Sequence, residues 1–117
     1  MTKIKVFKLI GKNAISMQSG EKLYNKIHPV LMSGDKVELE FEGVSLYASP
    51  FFNASVGLLL KDLSVESMKE QLSFKNLSET GRELLNHVIG NAITYYKNSG
   101  NVSKGINQSS SDGGVDD

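Results

Sequence analysis

The chain has 117 residues, 39% of them hydrophobic and 22% charged, which suits one domain with a single core. Lys plus Arg and Asp plus Glu both number 13, giving a formal charge of zero, and Arg82 is the only arginine, so a nucleic-acid binder, with its clustered and often arginine-rich basic surface, starts at a disadvantage. There is no cysteine, which excludes disulfides, thiol catalysis and thiolate-bound zinc.

Lys3 to Ile10 alternates in hydrophobicity and predicts a first strand. Met1-Thr2-Lys3-Ile4-Lys5 leads into that alternation rather than into the apolar block of a signal peptide, and no apolar run approaches the ~20 residues that span a bilayer. The expected setting is therefore soluble and cytoplasmic, with no membrane partner. Gly11-Lys12-Asn13 reads as a turn, and Ala14 to Met17 as a short strand pairing back on the first. From Gln18 to Met32, Leu23, Ile27, Val30 and Leu31 stand at helical spacing, with Ser19 as the expected N-cap. Pro29 lies well inside this run, so the helix is expected to kink or finish near His28.

Ser33-Gly34-Asp35 is a loop that delivers the central strand. Val37, Leu39 and Phe41 alternate with Glu38, Glu40 and Glu42, apolar on one face and carboxylate on the other. The three glutamates read as a solvated face; as a catalytic set they lack a second acid in a contrasting environment. Gly43 breaks the strand, and a short apolar piece from Val44 to Tyr47 leads into Ser49-Pro50. Pro50 suits the first turn of a helix and Ser49 is the natural N-cap before it. The helix that follows, Phe51 to Leu63, is apolar nearly all round and predicts burial on most sides. Phe51 and Phe52 are expected to split, one into the core and one toward the surface, where it would anchor a partner.

Ser64 caps a short helix from Val65 to Gln71, and Leu72-Ser73-Phe74 reads as a last, edge strand. Asn76-Leu77-Ser78 is a turn, with Ser78 and Thr80 competing to cap the final helix, Glu79 to Asn98. Its stripe of Leu84, Leu85, Val88, Ile89, Ala92, Ile93 and Tyr96 faces the core. Tyr95 and Tyr96 read as packing or rim residues. Beyond Ser99-Gly100 the composition is Ser, Gly, Asn and Asp with isolated apolar residues, too little to offset the entropy of ordering. The expectation is a domain over residues 1–99 and a disordered tail over 100–117. His28 and His87 show no ligand spacing, so no metal and no cofactor is expected.

The order strand, helix, strand, then an apolar segment turning through Ser into a helix resembles the STAS domain (sulfate transporter and anti-sigma-factor antagonist). More closely, the chain resembles a small bacterial STAS-like family known as a domain of unknown function. Phe41-Glu42-Gly43-Val44, Ser49-Pro50-Phe51-Phe52-Asn53 and Leu72-Ser73-Phe74-Lys75-Asn76-Leu77-Ser78 carry the likeness, which covers roughly Lys3 to Lys97. The resemblance implies an α/β fold, a small mixed sheet flanked by helices. Anti-sigma antagonists of this fold bind a GHKL-type ATP-binding kinase and are switched by phosphorylation of a Ser at the start of the helix after the central strand. The matching position is Ser49, although the antagonists' Asp-Ser-Ser-Gly reads Ala48-Ser49-Pro50-Phe51 here.

Ser49 thus has two compatible readings, N-cap and phosphoacceptor. The functional expectation is a non-enzymatic regulatory module of bacterial signalling, binding a protein partner through Ser49, Pro50, Phe51, Phe52, Asn53 and Ser55. The alternative is a small-molecule or nucleotide sensor that uses the same helix start as an anion site.

Overall fold

A computed structural model describes residues 1–104, with side chains through residue 96. Eleven elements follow in order: β1 (Thr2–Lys5), α1 (Val6–Ile10), β2 (Asn13–Ala14), α2 (Met17–Met32), β3 (Val37–Glu40), β4 (Leu46–Tyr47), α3 (Ser49–Ala54), α4 (Val56–Leu59), α5 (Val65–Gln71), β5 (Leu72–Lys75) and α6 (Glu79–Lys104). One sheet has the order β1-β3-β5, with Ile4, Leu39 and Phe74 in register. A second, two-stranded ladder joins β2 to β4. A small sheet flanked by helices is as expected, but every pairing is parallel where a mixed sheet was anticipated. Parallel strands need crossovers, and α2 and the α3–α5 run supply them.

The alternation in β3 is realised as read. Val37, Leu39 and Phe41 are buried, while Glu38 and Glu40 are half-buried and Glu42 exposed. Glu40 accepts hydrogen bonds from Asn76 Nδ2 (2.6 Å) and from the Glu42 N–H (2.9 Å). The Asn76 bond, then the Glu42 amide, hold its carboxyl below the usual range. Asn76 itself sits at φ +58°, a left-handed position that Asn tolerates, and turns the chain from β5 toward α6.

The first strand is shorter than its alternation suggests. It ends at Lys5, and Val6 to Ile10 wind into α1, with Val6, Leu9 and Ile10 at i, i+3 and i+4 against the core. The two periods coexist over so few residues, and burial selects the helical one. Because α1 intervenes, β2 does not fold back on β1. It runs on alongside β4, with the Ala48 N–H donating to the Ala14 carbonyl at 2.9 Å.

In α2 the N-cap is Ser16, whose Oγ accepts from the Ser19 N–H at 3.0 Å; Ser19 is already inside the helix. Nor does Pro29 end α2, which continues to Met32. Leu23, Ile27 and Leu31 are fully buried on one face and Pro29 is exposed, so tertiary packing outweighs the missing backbone bond. Ser64 caps α5 by accepting from the Ser67 N–H, and Ser78 rather than Thr80 caps α6, its Oγ accepting from the Gly81 N–H at 3.0 Å. In α6, Leu85 and Val88 are buried, and Leu84, Ile89, Ala92, Ile93 and Tyr96 lie against the core. This helix extends past the stop expected near Asn98 to Lys104. Glycine weakens a helix interior by about 1 kcal/mol but does not by itself end one. The rest of the expected tail, residues 105–117, lies outside the described residues.

Candidate functional site

The stretch from Ser49 to Leu59 is wedged between α2 and α6. A Cβ on Gly20 of α2 would overlap the Phe51 carbonyl oxygen and stand 2.9 Å from the Ala54 Cβ. On the other side, a Cβ on Gly57 would stand 3.1 Å from Val88 Cγ1 and 3.8 Å from the Ala92 Cβ of α6. Two glycines, one on each side, therefore set the approach of α2 to α3 and of α4 to α6.

The long helix expected from Phe51 to Leu63 is broken. Ser55 leaves helical geometry (φ −115°, ψ −89°), separating α3 from α4. It is fully buried, and its Oγ donates to the Phe51 carbonyl at 2.8 Å. That back-bond stabilises a local alternative to the continuous helix.

Phe51 and Phe52 are both fully buried, at 0% exposure. The expected split between core and surface does not occur. Phe52 is the hub of an aromatic group: its centroid lies 5.2 Å from Phe51, 6.0 Å from Tyr47 and 6.5 Å from Phe41, with Phe74 stacked on Phe41 at 6.3 Å. Burial raises the Tyr47 hydroxyl above its usual range.

Ser49 is half-buried and is not the cap. Ala48 occupies the cap position in extended geometry (ψ 155°), and no side chain caps α3. The cause lies upstream, because the Ala48 N–H is committed to Ala14 in the β2–β4 ladder. The strand therefore holds Ala48 extended, and Ser49 becomes the first helical residue, followed by Pro50.

Of the six candidate residues, the outer side of α3 presents Pro50 and Asn53, with Ser49 at its margin; Phe51, Phe52 and Ser55 support them from beneath. A shallow groove beside them is lined by Met17, Glu21, Pro50, Asn53, Ala54 and Leu58. Asn53 also borders a second hollow, shared with Gly57, Asn91, Ala92, Tyr95 and Tyr96. Met17 and Tyr95 are 53% and 65% exposed, large apolar side chains on either side of Asn53. Neither stood among the expected site residues. Met17 carries the Gly20-Leu23-Ile27-Leu31 stripe one turn further toward the N-terminus, and that spacing was the available signal.

An anion held at this helix start would need a closed pocket walled by amides. Helix α3 has six residues, and the neighbouring hollow is an open groove walled by side chains. Elsewhere, His28 is mid-helix rather than terminal; its Nε2 lies 3.0 Å from Asp62 Oδ2, and its ring stacks on Tyr24. His87 is exposed. Among the described residues no three His, Cys, Asp or Glu side chains gather as a metal site, and no helix is long and apolar enough to cross a membrane.

A small open parallel sheet under helices, with the strand–Ser–helix turn beyond its central strand, defines a STAS-like α/β domain. The chain belongs to the family described as a STAS-like domain of unknown function (DUF4325), whose model matches residues 19–82, more than half of the chain. That span runs from α2 to the first turn of α6 and contains the whole of α3. Comparison with curated proteins gives no match, and comparison with solved structures gives none.

Proposed function

We propose that the chain is a non-enzymatic regulatory module that docks a protein partner over the outer side of α3, at Pro50 and Asn53, with Ser49 beside them as a phosphoacceptor. The observation that carries this reading is the apolar groove of Met17, Pro50, Ala54 and Leu58 next to a serine whose hydroxyl is not used as a cap. Phe51, Phe52 and Ser55 contribute by fixing that surface rather than by touching the partner. A GHKL-type ATP-binding kinase is the partner that the STAS resemblance favours. Phosphate on Ser49 would add nearly two negative charges beside Pro50, and would repel an acidic partner surface.

The test uses purified chain, ATP and the GHKL-type kinases of the host. The expected results are phosphate on Ser49 by mass spectrometry, co-elution with one kinase, and loss of that co-elution in Met17→Glu, Asn53→Arg and Ser49→Asp with the circular dichroism unchanged. Binding that survives all three substitutions would remove the partner from this surface, and absence of any kinase complex would remove the partner class.

A further inference from the structure

A second surface lies away from α3. Strand β1 is an edge of the three-stranded sheet. Its hydrogen-bond directions follow from one contact: the Thr2 N–H donates to the Lys36 carbonyl at 2.8 Å. In a parallel ladder, alternate residues of a strand turn both backbone groups toward the same neighbour. Thr2 and Ile4 therefore serve β3, and Lys3 and Lys5 face the free edge. The Lys5 carbonyl enters α1 as its N-cap. The free edge thus offers the Lys3 N–H, the Lys3 C=O and the Lys5 N–H.

The groove along this edge is lined by Lys3, Ile4, Lys5, Lys8, Leu9 and Lys26. Four of the six are lysines, and no carboxylate lines the groove among the described residues. Lys3 and Lys5 leave β1 opposite buried Ile4, whereas Lys26 comes from α2 and Lys8 from α1. On the inner side Glu38 and Glu40 stand in register with Lys3 and Lys5, but among the described residues neither closes an ion pair with them. Glu40 is engaged instead by Asn76 and the Glu42 amide.

We propose that the free edge of β1 accepts an extended acidic peptide of a partner protein as a fourth strand, its backbone bonded to Lys3 and Lys5 and its carboxylates met by Lys3, Lys5, Lys8 and Lys26. Lysines on an edge also deter uncharged strands from pairing there, so the same side chains select an acidic segment against an apolar one. The backbone groups favour a peptide over a phosphate polymer, because they read a strand's hydrogen-bond spacing and not charge alone. This surface is independent of the Pro50–Asn53 groove, so either can fail without the other.

The experiment titrates ¹⁵N-labelled full chain with a short peptide of alternating Glu and Val. The expected result is shift changes confined to Thr2–Lys5, Lys8 and Lys26, with the Lys3 and Lys5 amides exchanging about tenfold more slowly or less. Affinity should fall about tenfold both for Lys3→Gln/Lys5→Gln and for a peptide N-methylated at alternate residues, which keeps its charge but loses the backbone bonds. Absence of shifts on β1 at roughly millimolar peptide overturns the proposal. So does equal binding of the N-methylated peptide or of an oligothymidylate of the same charge. Edge shifts that depend on protein concentration without peptide would place a second copy there and overturn it as well.

Discussion

The two sides of α3 obey different rules although they share six residues. The inner side is close-packed, with Phe51, Phe52 and the Ala54 methyl held by Gly20 on α2, and Ser55 bonded back to Phe51 just beyond the last turn. The outer side is loosely walled, with Pro50 and Asn53 between the exposed side chains of Met17 and Tyr95. A helix packed in this way on one side presents the backbone of its other side already in place for binding. The core residues of this segment therefore set the geometry of the surface, and substitutions should separate the two roles.

The largest effect is expected at the hub. Phe52→Ala should lower stability by about 3–5 kcal/mol in urea denaturation, since it empties a site among three other rings. A loss under 1 kcal/mol would mean that α3 is not clamped as described. Next is Gly20→Ala, which would normally strengthen a helix by about 1 kcal/mol. Here the new methyl meets the Phe51 carbonyl, and a net loss of about 1–3 kcal/mol should appear in the same measurement.

The serines give a smaller and more discriminating contrast. Ser16→Ala should cost about 1 kcal/mol as loss of a true N-cap. Ser49→Ala should stay within about 0.5 kcal/mol, because Ser49 caps nothing. Equal losses at both positions would restore Ser49 as a cap.

The smallest effect is expected on the acid limb of stability. The folded-state pKa of Glu40 is lowered, so its contribution is complete above the unfolded value near 4.5 and disappears as pH falls through the lower folded value. Glu40→Gln should make the loss of stability below that pH shallower than in wild type, as read from urea midpoints across an acid pH series.

Much of the framework was readable where one local rule acted alone. The strict alternation of β3, the cap before α5 and the edge strand Leu72–Phe74 each carried a single unopposed signal. Local pattern and structure differ where two rules compete and a distant partner decides between them. Val6 to Ile10 satisfied both strand and helix periods, and its burial against the core chose the helix. Ser49 had cap chemistry, but the ladder to Ala14 fixed the residue before it. Pro29 opposed a helix that Leu23, Ile27 and Leu31 held in place. At the site, the turn itself was legible, whereas Met17 and Tyr95 come from helices remote in sequence; the helical spacing puts Met17 on the buried stripe of α2 but does not say that it will border Pro50 and Asn53.

The all-parallel pairing also has a consequence for how the chain reaches this state. Among the described residues no two strands form a hairpin, so β1 waits for β3 across the whole of α2, and β3 waits for β5 across three further helices. Loop closure over such separations comes before any reward from sheet contacts, which slows folding relative to helical proteins of equal length. During synthesis the first 70 or so residues can form α2 but not the completed sheet, because β5 begins at Leu72. The far edge of the central strand, Val37-Glu38-Leu39-Glu40, therefore lacks its partner until β5 has emerged, and charged side chains such as Glu38 and Glu40 disfavour premature pairing of an open edge.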